Sequence, residues 1–450
     1  YNLLLKDNKF SRKASAKSKT DLSILMTYVS LDRYLKPRSR LAFVITQTVI
    51  KSERGGRGFR RFELPNKIPL KVVHFDDFTS FQPIEGAANR TAVILINRDQ
   101  KTKYPIPYAY WLKRDSNISS DYSLSEIVER TKRNNWIAEP IDSVDETAPW
   151  ITGRRKALAV TSKIRGQSKY YDFCREGSNT RGANGIFWCK KLSKKLNNNV
   201  LIANLPQFGR LRVPSLTMEI EADFLFPLLR GKDIKKWNVE CKYWILNVND
   251  PGNPAGPFPS DVLQEKFPNT FKYLSKFEKE LRNRPKFRNF NPSEGDFYGL
   301  YNIGKYSYKS YKVVWREQSS FMISAVATNM DNVTIIPDHK LMMLPCNTPN
   351  EAFFICACLN SSISAFVVKS YAVETSISTH LFKYVKLPLF DFSNDIHSEL
   401  SRLSLLCHEK RAAGIDVTDL EEQIDELTAE MWGLTKEELN DIQDTLEELR

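Results

Sequence analysis

Residues 21–52, DLSILMTYVSLDRYLKPRSRLAFVITQTVIKS, constrain this chain more than any other stretch. Leu22, Leu25, Met26, Val29, Tyr34 and Leu35 recur near a 3.6-residue period, which predicts a helix. Arg33 and Lys36 fall in its last turn, where cations oppose the negative end of the helix dipole. Pro37 lacks an amide hydrogen and stops the helix. Leu41-Ala42-Phe43-Val44-Ile45 is then an unbroken apolar run, the pattern of a strand buried on both faces of a parallel sheet. Polar Thr46-Gln47-Thr48 follows at its carboxyl end, where open α/β sheets place their ligands.

The rest of the chain extends this α/β reading. Residues 69–76 (PLKVVHFD) and 91–97 (TAVILIN) predict two more strands, and Pro105 and Pro107 make 101–111 an edge strand. Residues 115–121 are rich in Ser, Asn and Asp and suit a linker, which places a domain boundary between Leu112 and Ser123. A modest helix is expected over 123–133, followed by short strands and loops. Residues 333–345 read as strand and 352–364 as a buried helix, with Cys356 and Cys358 in its core rather than on a metal. Residues 385–390 read as a closing strand. Leu400, Leu403 and Cys407, then Leu420, Ile424, Leu427 and Met431, mark two amphipathic helices that pair as a hairpin.

Charge narrows the partners. The chain carries +13 overall, yet residues 415–450 hold thirteen carboxylates against Lys436 and Arg450. That segment is therefore −11 and the preceding residues +24. So basic a body suggests a polyanion, nucleic acid first. The acidic tail would repel DNA, so its helix is expected to face protein or solvent. No apolar run approaches the roughly 20 residues needed to span a bilayer. Seven scattered cysteines and no secretory signal suggest a reducing, cytoplasmic setting, and Tyr1 at the start suggests a part of a longer chain.

Three stretches carry candidate contacts. In 50–62, Gly55, Gly56 and Gly58 permit close backbone approach, while Arg54, Arg57, Arg60 and Arg61 match phosphate geometry; the same arginines would equally serve the protein's own carboxylates. In 177–185, freed amides with Asn179, Arg181 and Asn184 suit a phosphate or a base edge, or a plain hairpin loop. Residues 301–317 interleave five aromatics with four cations, Lys309 and Lys312 among them, as nucleic-acid faces and amphipathic strand pairs both do. Asp338-His339-Lys340 has no nucleophile placed beside it by any motif, and no His pair forms a metal site, so that triplet reads as structural.

Beyond periodicity, the wording of several segments is specific. The helix closing on Leu35-Lys36-Pro37, then Arg40-Leu41-Ala42-Phe43-Val44-Ile45-Thr46, resembles the adenine-specific DNA methyltransferases just after their Asn-Pro-Pro-aromatic loop. Gly55-Gly56-Arg57-Gly58-Phe59-Arg60-Arg61-Phe62, Glu85-Gly86-Ala87-Ala88-Asn89-Arg90 and Leu228-Leu229-Arg230-Gly231-Lys232-Asp233-Ile234 continue the resemblance. It implies the C-terminal half of a Rossmann-like methyltransferase sheet over residues 1–113 and an α+β target-recognition domain over 124–392. A C-terminal helical hairpin with an acidic helix follows over 393–450.

The resemblance also implies a function and a set of roles. The enzyme would transfer methyl from S-adenosylmethionine to the exocyclic amine of adenine in double-stranded DNA, within a restriction-modification or phage-defence system. Holding a flipped adenine needs stacking and edge hydrogen bonds, a pocket that falls to Phe81, Ile84 and Asn89. Asp21 and Met26 fall near the cofactor. Trp237 packs the recognition domain while its neighbouring cations lie at the surface, open to phosphate contact. No metal is required for methyl transfer. The chain contains no Asn-Pro-Pro-aromatic or Asp-Pro-Pro-aromatic tetrad, so it is expected to carry no catalytic residue and to be inactive alone. Two other functions fit the same residues, a specificity module without catalysis and part of a bifunctional restriction-modification chain. A cognate restriction or defence subunit would be a further partner.

Overall fold

The computed structural model describes residues 22–449 apart from 54, 85–88, 115–117, 120, 194–195, 251, 253–255, 285–296, 320 and 372–376. The opening helix forms as α1 (Leu22–Val29) and continues through one π-helical turn to Tyr34, after which Leu35 is extended ahead of Pro37. Strands β1 (Arg40–Thr46), β2 (Leu70–Asp77), β3 (Thr91–Arg98), β4 (Ile106–Lys113), β5 (Thr131–Pro140) and β6 (Trp150–Gly153) make one sheet in the order β1-β3-β2-β4-β5-β6. The fold is mixed α/β, as the sequence indicates.

Two details of this sheet differ from the expectations. First, β1 is not a doubly buried parallel strand: it pairs antiparallel to β3 and stands at the sheet's end, with Val44 51% exposed. An apolar run encodes that a strand is covered but not by which neighbour, and among the described residues nothing pairs with its outer edge. Only β2 and β4 run parallel. Second, the sheet does not end at the proposed boundary. β4 and β5 pair from Ile106↔Ala138 to Lys113↔Thr131, with α2 (Leu124–Arg130) at the turn, so the first layer runs on to Gly153 rather than stopping at 113. Ser123 and Glu126 close a capping box on α2, which explains why the helix starts where it does.

Beyond α3 (Arg155–Thr161) and β7 (Arg175–Glu176) come β8 (Trp188–Lys191), β9 (Asn199–Asn204), β10 (Thr217–Glu221) and β11 (Leu225–Leu229). With β14 (Tyr243–Leu246) and β17 (Ile336–Pro337), reached after the small hairpin β12 (Ile234–Lys235) and β13 (Asn238–Val239), these form the sheet β10-β9-β8-β14-β11-β17. Helices α4 (Ser260–Lys266), α5 (Pro268–Ser275) and α6 (Glu278–Arg282) bury Leu263, Leu274 and Leu281 in its core. A third sheet, β16-β15-β18-β7, adds β15 (Tyr311–Arg316), β16 (Ser324–Ala327) and β18 (Leu341–Cys346).

Helices α7 (Pro349–Asn360) and α8 (Ser362–Tyr371) are the buried helices read at 352–364, and Cys356 and Cys358 are fully buried free thiols. Residues 385–390 are not a strand: only Val385 bridges, to Arg165, and Leu387 is held by packing. Helices α9 (Asp395–Ala412) and α10 (Thr418–Met431) make the hairpin, and α11 (Lys436–Glu448) is the acidic helix. It faces protein. Glu448 receives Arg154 at 2.8 Å, Lys132 at 3.3 Å and the Trp136 indole at 3.2 Å, while Glu438 receives Lys163 at 2.9 Å. No single helix among the described residues is long and apolar enough to cross a membrane.

One contact under α9 titrates. The His408 Nε2 accepts the Val326 amide at 2.9 Å and Nδ1 lies 2.7 Å from the Ser404 carbonyl, so the ring is neutral with its proton on Nδ1. Burial lowers its pKa to about 4. The unfolded chain binds a proton near pH 6.5 that the native ring refuses, so stability is present above 6.5 and lost as pH falls toward 4. The loss is about 3 kcal/mol at most. His408→Gln, whose amide oxygen can still accept Val326, should move the acid-unfolding midpoint to lower pH, read by circular dichroism; an unchanged midpoint would remove His408 as a cause.

Candidate nucleic-acid interface

The site is assembled around the 177–184 loop. The Ser178 and Gly177 amides donate to Pro337 O at 2.8 Å and Leu341 O at 2.9 Å, fastening the loop to the segment between β17 and β18. A Cβ on Gly177 would lie 2.2 Å from Asp338 O, so only glycine permits this approach. The loop then turns sharply. Asn179 Oδ1 accepts the Arg181 amide at 2.9 Å, Arg181 adopts φ 55° and Gly182 φ 93°. Asn184 accepts the Thr180 hydroxyl, and Gly182 O accepts the Arg210 amide at 2.9 Å, which brings Arg210 alongside.

The other wall comes from β11. Its parallel pairing with β17 and the Asp338 amide on Leu229 O at 2.8 Å place Arg230 beside Asp338. The Arg230 guanidinium is bidentate on Asp233 at 2.6 and 2.8 Å, and both side chains are almost fully buried, at 5% and 3% exposure. It also stacks over Tyr243 at 4.3 Å and Phe208 at 5.3 Å.

Between these walls lie two adjoining cavities of about 380 and 550 Å³ that share Trp188, Phe208, Asp338 and Lys340. The first adds Arg230, Lys232 and Arg316; the second adds Asn179, Arg181, Asn184 and Arg210, together with His339. Six arginines and lysines therefore face a single acid. Burial raises the Asp338 carboxyl to about 6, against the opposing pull of the Lys340 amide and of the Lys340 and Arg230 charges. His339 is lowered to about 4 by burial and then by Lys340, Arg181 and Arg210, so its neutral ring both donates and accepts at pH 7. Cations beside amide and imidazole groups can neutralise phosphates and pair with base edges.

The sequence-derived candidates divide sharply. Asn179, Arg181 and Asn184 all line the cleft. Lys312 does not: it is 1% exposed, bonded to Lys309 O and to Thr334 Oγ1 at 2.9 Å, and its burial lowers its pKa to about 7. Lys309 lies outside the cleft and donates to Asn347 at 2.9 Å. Arg60 is buried on Val49 O and Thr147 O, Arg57 pairs with Asp145 at 2.8 Å, and a Cβ on Gly56 would meet Val49 O at 1.8 Å. Arg60 thus packs inward onto main-chain carbonyls, which corrects the phosphate reading for it, while Arg57 pairs with Asp145, the carboxylate alternative of the sequence, with its side chain still 42% exposed. Arg61 is exposed, and Arg54 lies outside the described residues.

At the proposed base pocket, Phe81 meets Phe78 edge-on at 5.7 Å, and Phe78 stacks on Trp111 at 5.8 Å. Gln82 ties the loop shut, donating to Asn89 O at 2.5 Å and accepting the Thr91 hydroxyl at 2.6 Å. Ile84 is 46% exposed and Asn89 is exposed. These residues adjoin one loop, whose tip, 85–88, lies outside the described residues. Of the cofactor candidates, Asp21 also lies outside them, and Met26 is 47% exposed on α1.

No contact reading attaches in the sequence to Arg210 or Lys340, whereas Arg230 and Lys232 belong to a phrase whose surface cations leave phosphate contact open and Arg316 to the 301–317 cations. All five line the cleft, with the Asp338-His339-Lys340 triplet that reads as structural.

No protein-family model and no curated protein matches the chain. Among solved structures it is similar to the Type IIL restriction-modification enzyme MmeI in complex with DNA. The TM-score is 0.50 at 11% identity, over 94% of this chain and 51% of that one. It also matches the type IIG restriction endonuclease BpuSI, with a TM-score of 0.32 and 11% identity over 99% of this chain and 50% of that chain. A nuclease-deletion mutant of the Type ISP enzyme LlaGI, in complex with a DNA substrate mimic, gives 0.36 and 11% over 90% and 39%. The MmeI likeness establishes the fold, and the chain spans about half of that protein's length.

Proposed function

We propose that this chain is the DNA-recognition portion, with part of the catalytic sheet, of a site-specific adenine DNA methyltransferase from a restriction-modification or phage-defence system. The observation that carries the reading is the cationic cleft, where residues from five separate segments converge on space lined by Trp188 and Phe208. Its likeness in fold to MmeI, itself described in complex with DNA, supports the same reading. The functional boundaries follow the sheet: residues up to Gly153 belong with the catalytic layer and the later sheets with recognition.

The edge of β1, unpaired among the described residues, and the exposed Leu22, Met26, Tyr34 and Val44 suit addition of further strands there. S-adenosylmethionine and the Asn-Pro-Pro-aromatic loop would be brought by the polypeptide that supplies those strands. A cognate restriction or defence subunit is a further partner in this reading, and the cytoplasm its place of work. Tritiated-methyl transfer to unmethylated duplex DNA tests it. This chain alone should incorporate no label. A polypeptide joining it to a segment with that loop should yield N6-methyladenine on hydrolysis, and label on cytosine or no label would contradict the assignment.

A further inference from the structure

The two lobes of the cleft differ in chemistry. The lobe of about 550 Å³ mixes donors with the acceptors of Asn179, Asn184 and His339. The lobe of about 380 Å³ is dominated by donors: Arg230, Lys232, Arg316 and Lys340 surround Trp188 and Phe208, with Asp338 the one acid. Three donors on residues lining this lobe are left over by the fold. Arg230 is 4% exposed and commits Nε and Nη2 to Asp233, yet its Nη1 has no hydrogen-bond partner. Trp188 is 6% exposed and its indole Nε1 has none either. Arg316 donates through Nη2 to Ile234 O, while its Nε is unpaired. A buried donor without an acceptor costs about 1–3 kcal/mol. These three atoms have almost no accessible surface, so an anion entering the lobe first meets the exposed cations that line it, Lys232 and Lys340.

Resting on the reading of the cleft as a DNA interface, we infer that this smaller lobe is an anion subsite that takes one tetrahedral oxyanion, a phosphodiester of the bound strand. Lys232, exposed with its ammonium 5.6 Å from the Phe208 ring, stands at the rim and draws the anion in. Arg230, clamped by Asp233 beneath, keeps its charge fixed without a long search through rotamers. Asp338, whose carboxyl burial already holds toward the neutral form, faces Lys232 and Arg316 together with Arg230, which Asp233 already pairs, and Lys340, which lies 3.7 Å from Glu317. The lobe would position the duplex, and the amide-rich lobe beside it would meet the bases. A free phosphate shares the same chemistry.

The test uses the full chain labelled with 5-fluorotryptophan, its Trp188 resonance assigned by Trp188→Phe, with inorganic phosphate as probe. A saturable shift of that resonance, not reproduced by chloride at equal ionic strength and weakened at least threefold by Lys232→Gln, supports the subsite. A shift that chloride reproduces, or none, overturns it. Duplex DNA then separates the sources. If DNA abolishes the phosphate-induced shift, and Lys232→Gln lowers the slope of log K against log salt by about one, the occupant is a strand phosphodiester. Phosphate binding with no DNA binding overturns the strand assignment and, separately, the DNA-interface reading. DNA binding with a silent Trp188 overturns the subsite and leaves that reading standing.

Discussion

Replacing Asp233 by alanine should destabilise the chain by about 3–5 kcal/mol, the cost of leaving a buried guanidinium without its carboxylate. Arg230 is the partner it would strand, at 5% side-chain exposure and with two short bonds to Asp233. The pair is not itself a large source of stability, since burying two charges costs nearly what their attraction returns. Its effect is seen when one partner goes. The double change Arg230→Met with Asp233→Leu should therefore recover much of the loss in urea unfolding while duplex affinity stays low. If Asp233→Ala unfolds at the wild-type midpoint, Arg230 is solvated and the cleft wall is not built as described.

The second large effect is expected at Gly177. A methyl there meets Asp338 O at 2.2 Å and Pro337 O at 2.7 Å, and both are backbone atoms that cannot rotate aside. Gly177→Ala should cost about 3 kcal/mol, the upper range for overpacking. It should also push Asp338, His339 and Lys340 away from Asn179 and Arg181, weakening duplex binding beyond what the stability loss explains. Measuring affinity well below the unfolding transition separates the two. Equal affinity in the variant would show that the distance between the 177–184 loop and the 338–340 turn does not matter to DNA.

Legibility of the fold follows how local each determinant is. The α1 helix, its stop before Pro37 and the buried α7 were readable, because period, proline and a run such as AFFICACL act within a few residues. The pairing of β1 was not, since an apolar run is silent about neighbours. The end of the first sheet was hidden for a related reason: a Ser/Asn/Asp-rich linker marks a turn equally well between domains and within a sheet, and here β4 and β5 pair across it.

The site shows the same division. Asn179, Arg181 and Asn184 share one glycine-rich turn, and sequence found them together. Arg60 and Lys312 look identical to solvent-facing cations, yet each is held by a partner distant in the chain that leaves no local mark, Thr147 O for Arg60 and the Thr334 hydroxyl for Lys312. Lys340, Arg230 and Arg210 are brought to the cleft by the β11–β17 pairing and by the Gly182 carbonyl, contacts between segments that no single window contains.

The measurement that bears most directly on the cleft as a DNA-binding surface is fluorescence anisotropy of a labelled duplex across a salt series. Wild-type chain would be compared with the triple variant Arg181→Gln, Arg210→Gln and Lys340→Gln, all three being half-buried or exposed cleft cations. The wild type should bind with a steep negative salt slope, and the variant should lose roughly two to three in that slope, about 0.9 per phosphate contact. Equal slopes and affinities in two equally folded proteins would contradict the cleft assignment and move the DNA elsewhere on the basic surface.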